Sequence, residues 1–111
     1  MNRIPMSSAA SALLRVLIAR SGAPRERILL SDVHSTDWRS LTFNGERHQI
    51  ELRVAGSESR SVVDRMCAGL EDAEFSIPGI IVADISVAGE FKRGLDGSTT
   101  ATIEALTVSE D

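Results

Sequence analysis

The apolar residues near the start of the chain, Met6, Ala9, Ala10, Leu13, Leu14, Leu17 and Ile18, recur at spacings of three and four. That is one face of a helix, and it predicts a helix over about 6–21. Ser7 or Ser8 can cap it by accepting a hydrogen bond from a first-turn amide, Arg20 suits the dipole of the last turn, and Gly22 with Pro24 ends it. The period then changes. Ile28, Leu29, Leu30 and Val33, followed by Ser35 and Thr36, predict a strand over 27–36 that begins apolar and turns polar. Residues 37–45 read as a long connection between strands, with Asn44-Gly45 as the strongest turn dipeptide. A clean alternation follows: His48, Ile50, Leu52 and Val54 on one face, Arg47, Gln49, Glu51 and Arg53 on the other. This predicts a strand over 46–55 with one buried face, hairpin-paired with 27–36.

Gly56-Ser57-Glu58-Ser59 leads into a second apolar stripe, Val62, Val63, Met66, Cys67 and Leu70, which predicts a helix over about 58–73. Pro78-Gly79 is a turn. Ile81, Ala83, Ile85 and Val87 alternate with Asp84, Ser86 and Glu90 in a strand over about 80–92. Asp96-Gly97 marks a hairpin turn before a last strand over about 98–108. The predicted order is α-β-β-α-β-β: an α+β fold, an antiparallel sheet of about four strands with both helices packed on one face. The other sheet face is left for solvent or a partner.

The 111 residues imply one domain spanning 1–111 with a modest core. Hydrophobic content of 42% and charged content of 25% fit an ordinary globular chain. No apolar run approaches the ~18–20 residues of a membrane span, and residues 1–20 lack the order of a signal peptide, so a cytoplasmic setting is expected. With 12 Lys+Arg against 16 Asp+Glu, the net charge is −4. An acidic chain with one Trp, three Phe and no Tyr offers neither a basic stripe nor a stacking platform for nucleic acid. Eleven of the 12 basic residues are Arg and one is Lys92, which a GC-rich genome explains more simply than interface chemistry does.

No enzyme motif emerges. A single cysteine excludes an internal disulfide and a cysteine-cluster metal site. His34 and His48 share the first hairpin and could approach each other, with Asp32 or Asp37 joining them. The plainer reading is two histidines on amphipathic strands with no third ligand at fixed spacing. Cys67, in an apolar stripe beside Met66, reads as a buried inert thiol, not as a nucleophile served by His48. The expectation is therefore no catalytic residue, no metal and no cofactor. Two features point to binding. Trp38, Arg39, Leu41 and Phe43 place three large apolar residues in a connecting segment. They either fold back as a lid or meet a partner. Arg47, Glu51 and Arg53, on the polar face of 46–55, suit an interface of paired charges or a solvated face.

The strings Ile28-Leu29-Leu30-Ser31-Asp32, Thr36-Asp37-Trp38-Arg39-Ser40 and Gly45-Glu46-Arg47-His48-Gln49-Ile50-Glu51-Leu52-Arg53-Val54 resemble the small tail-completion, or tail-terminator, proteins of long-tailed bacteriophages and alphaproteobacterial gene transfer agents. The later segments Ser59–Leu70, Ile80–Glu90, Lys92-Arg93-Gly94-Leu95-Asp96-Gly97 and Glu104-Ala105-Leu106-Thr107 follow the same pattern. One departure is the short stretch from Gly22 to Arg27, where family members have an extra extended piece. The resemblance implies a non-enzymatic structural protein of the particle tail, assembled in the bacterial cytoplasm. Such proteins form a homo-oligomeric ring, usually a hexamer, on the tail-tube protein. They present a surface to the head-completion or connector protein, and DNA passes through without specific binding. Trp38 and the 37–45 segment would then meet a neighbouring subunit or the tube, and the polar face of 46–55 would contribute to the ring. The competing reading is a small cytoplasmic α+β adaptor or regulatory domain that binds a protein partner.

Overall fold

Ser7 caps the first helix: its hydroxyl accepts from the Ala10 amide at 3.1 Å. In the computed structural model, which describes residues 5–110, helix α1 spans Ser8–Ser21 and ends on Gly22 in the left-handed conformation. Met6 lies before the cap and is exposed, so it drops out of the predicted apolar stripe. A single 3-10 turn at Arg25–Arg27 connects α1 to the sheet. Strand β1 spans Ile28–Arg39 and β2 spans Asn44–Val54. Helix α2 covers Ser59–Cys67, strand β3 Ile80–Arg93 and strand β4 Thr99–Ser109. All pairings are antiparallel, in the order β1-β2-β4-β3. The fold is the α+β arrangement of two helices and a four-stranded sheet that the hydrophobic pattern predicts.

The alternation in β2 survives unchanged. Ile50, Leu52 and Val54 are buried with Ile103 and Ala101 of β4 beneath Leu13 and Leu17 of α1 and Val62, Val63 and Met66 of α2. Two arginines lock the helices together. Arg20 Nε donates to the Met66 carbonyl at 3.0 Å, and its Nη2 donates to the Ala68 carbonyl, so a cation satisfies the carbonyl end of α2. Arg65 Nε returns the bond to the Ser21 carbonyl at the end of α1, at 3.0 Å.

Three predicted features are corrected. The 37–45 connection is mostly strand: β1 runs on to Arg39, and Asn44-Gly45 opens β2 instead of forming the turn. The turn is the four residues 40–43, closed by the Ser40 amide on the Phe43 carbonyl at 2.9 Å and by the Ser40 hydroxyl accepting from the Phe43 amide at 3.0 Å. Helix α2 stops at Cys67 instead of about 73, because Gly69 takes a left-handed φ of 62° and Leu70–Asp72 form a separate 3-10 turn. In β3 the strict alternation breaks. Register shifts between Val82 and Asp84, and again between Ala88 and Lys92. These bulges turn Val82, Ile85, Val87 and Phe91 toward the core and leave Ile81 and Ala83 exposed. β1 carries its own bulge at Ser31, between Leu30 and Asp32.

Candidate interaction surface

The sheet has one face under the helices and one face open. The cross-strand register lays out the open face in rows. At the end nearest the 40–43 turn, Trp38 of β1 stands opposite Gly45 of β2, which stands opposite Val108 of β4, which in turn pairs with Ile81 of β3. Trp38 is half-buried, Val108 is buried, and Ile81 is 47% exposed. The next row is Thr36, Arg47, Leu106 and Asp84. Beyond it come His34, Gln49 and Glu104, then Asp32 and Glu51, and then Arg53, Thr100 and Lys92. The open face is thus apolar at the hairpin end and charge-mixed along the rest.

The predicted site residues separate into three groups. Trp38 belongs to the strand, not to a loop, one residue from the end of β1. Leu41 and Phe43 sit in the turn and point to solvent, 107% and 49% exposed, so neither covers the sheet as a lid. Arg39 and Arg47 make no ion pair among the described residues, and both are exposed. Arg53 is occupied within the chain. Its Nε donates to Ser98 Oγ at 3.1 Å and its Nη2 pairs with Asp96, which ties β2 to the β3–β4 turn. Asp96 is held well below the usual carboxylate range, to about 2, first by the Ser98 hydroxyl and amide and then by Arg53. Glu51, the open-face neighbour of Arg53 along β2, is half-buried.

The two histidines do not meet. His34 pairs in register with Gln49 and lies on the open face, 3.3 Å from Asp32. His48 lies on the core face, 3% exposed. Its Nδ1 hydrogen-bonds Ser35 Oγ at 2.7 Å and its Nε2 hydrogen-bonds Thr107 Oγ1 at 2.8 Å. Burial lowers its basicity, against a smaller opposing pull from Glu46. A hydroxyl beside an imidazole has the chemistry of a nucleophile and its base. Here both ring nitrogens are engaged by hydroxyls, that of half-buried Ser35 and that of buried Thr107, so the imidazole ties β1, β2 and β4 together and satisfies those groups. Sequence reasoning missed Ser35 and Thr107 as its partners. Each is a short polar residue at an inward position of a strand, the only local sign that an inward histidine needs company.

A second surface feature lies on the opposite edge. One side of α2, from Arg60 to Cys67, and the bulged part of β3 bound an open groove of about 610 Å³. Half-buried Cys67, Val87 and Phe91 form its apolar part, and exposed Arg60, Asp64, Ala68 and Glu90 its rim. Arg60 lies 4.9 Å above the Phe91 ring centre and pairs with Asp64 at 3.0 Å. Cys67 is half-buried here, not fully enclosed as the sequence suggests, and burial pushes its thiol up to about 11.

Compared with protein-family models, curated proteins and solved structures, the chain has no significant match.

Proposed function

We propose that this chain is a non-enzymatic structural subunit that forms a ring and terminates the tail tube of a phage or gene-transfer-agent particle. The ring would offer one surface to the tail-tube protein and another to the head-completion or connector protein. The observation that carries the reading is the apolar hairpin end: Trp38, Val108 and Ile81 in one row, with Leu41 and Phe43 projecting beyond the sheet. Large apolar side chains exposed at one end of a sheet, here Leu41, Phe43 and Ile81, are what a protein contact buries. The resemblance in the hairpin strings and in the α-β-β-α-β-β order supplies the family, and the hexamer number comes with it. The net charge of −4 per chain suits a channel that repels phosphates and lets DNA pass.

Among the described residues no helix is long and apolar enough to cross a membrane. The test is native mass measurement of the purified protein, alone and mixed with its tail-tube protein. A closed oligomer in either sample is expected, and Trp38→Ala should weaken it while leaving the monomer folded. A monomer in both samples overturns the reading.

A further inference from the structure

We propose that the contact joining copies of this chain is a knob in a hole, in which the 40–43 turn of one copy seats in the α2–β3 groove of the next. The proposal rests on the ring reading and names its joint. The knob is built of Leu41 and Phe43, held out at the tip of the β1–β2 hairpin by the Ser40 turn bonds. The hole has an apolar lining of Cys67, Val87 and Phe91, all half-buried. Its 610 Å³ lies within the roughly 300–1,000 Å³ typical of sites that enclose a small ligand, ample for two side chains.

Charge agrees with shape. Arg39, at the base of the knob, is an exposed cation with no ion pair among the described residues. The rim of the hole carries Asp64 and Glu90 against one cation, Arg60, which already pairs with Asp64. Glu90 is therefore the carboxylate available to Arg39.

Placement agrees as well. The register puts the knob beside Gly45, Val108 and Ile81, at one end of the sheet and on its β1–β2 side. The hole lies on the β3 edge, toward the end where Lys92 meets Thr100. Two complementary patches far apart on one chain suit a heterologous contact, which forms a ring where the rotation from copy to copy closes and a filament where it does not. The edge strands offer a poorer joint. β1 is bulged at Ser31, and β3 is shifted twice. Bulges of this kind oppose strand-to-strand addition.

Cys67 in the lining of the hole makes the test direct. A Leu41→Cys variant, oxidised with copper phenanthroline at concentrations where native mass shows oligomers, should form disulfides between the new thiol at position 41 and Cys67, identified by peptide mass. The knob and the hole are too far apart for that bond within one chain. Because each copy carries both halves, the product should be a ladder that ends at the native oligomer number. The Leu41→Cys, Cys67→Ser protein should lose the ladder. Leu41→Glu should weaken the oligomer by roughly tenfold or more without lowering the melting temperature of the monomer, since Leu41 is fully exposed there.

Oligomers without a bond from position 41 to Cys67 would overturn the knob and hole and leave the ring standing. A ladder that runs on without closing would uphold the contact and overturn the ring. A protein that stays monomeric alone and with the tail-tube protein would overturn both.

Discussion

Replacing Gly45 by alanine sets two effects against each other. Gly45 has no positive φ, so on backbone grounds alanine should stabilise by about 0.4–1 kcal/mol through the freedom it removes from the unfolded chain. The tertiary structure opposes this. A Cβ at Gly45 would lie 2.0 Å from the Thr107 carbonyl oxygen and 3.1 Å from Val108 Cα. Cβ atoms essentially never come closer than 3.0 Å to a neighbour, so that oxygen would have to retreat by the difference. Thr107 is poorly placed to retreat. It pairs with Glu46 of β2 on one side and Val82 of β3 on the other, and its hydroxyl bonds His48 Nε2 at 2.8 Å.

Opening two ladder hydrogen bonds and disturbing the His48 bond, at about 0.5–1.5 kcal/mol each, puts the loss at roughly 1.5–4.5 kcal/mol. The clash therefore outweighs the entropy gain, and the net sign is destabilising. The assay is thermal and urea unfolding of the wild type beside Gly45→Ala and Gly97→Ala. Gly97 has a φ of +85° with nothing within 4 Å of its would-be Cβ, so alanine there should cost only about 1–2 kcal/mol of backbone strain. Gly45→Ala should melt lowest, by roughly 10 °C or more below the wild type. If Gly45→Ala proves as stable as the wild type or more so, the argument from the Thr107 approach is refuted.

Acid should weaken the fold through His48. Its folded pKa is depressed below the ordinary 6.5, so the unfolded chain binds the extra proton, and the contribution is complete above that value and declines as the pH falls through it. Unfolding at about pH 7.5 and about pH 5.5, on either side of the ordinary histidine pKa, should show the loss, and His48→Gln should flatten it; an unchanged slope in that variant would exclude His48 as the source. Arg20→Ala should destabilise by about 1–3 kcal/mol, since two carbonyls at the end of α2 lose a cationic donor. Amide exchange should speed up around Met66–Gly69, and Arg20→Lys should restore only part, because a single ammonium does not reproduce the guanidinium fork. Cys67, raised from 9.0 to about 11, should hold roughly 100-fold less thiolate than an unperturbed thiol at neutral pH. Its alkylation by iodoacetamide should be correspondingly slower than that of glutathione, and equal rates would contradict its burial.

Much of the site was legible as composition but not as geometry. Trp38, Leu41 and Phe43 stand out in the sequence as apolar residues in a polar stretch. Their division into a sheet-face ring and a solvent knob depends on how far β1 and β2 pair, and pairing is a property of two segments at once. Arg53 reads from the sequence like Arg47, another outward cation. Asp96, 43 residues away along the chain, occupies it. The α2–β3 groove had no local signal, because it is a space between two elements that are distant in sequence.

The sequence by itself determined the order of elements, a serine cap at Ser7 or Ser8, the helical stripe of α1 and the inward face of β2. These depend on periodicity and on contacts within a few residues, which a single segment carries. Only the tertiary structure decided the length of the hairpin, the bulges of β1 and β3, the early stop of α2 and the partners of His48. Register, bulge position and burial are set by whichever distant strand or helix completes the hydrogen bonds and fills the core, and that partner is chosen only when the whole chain packs.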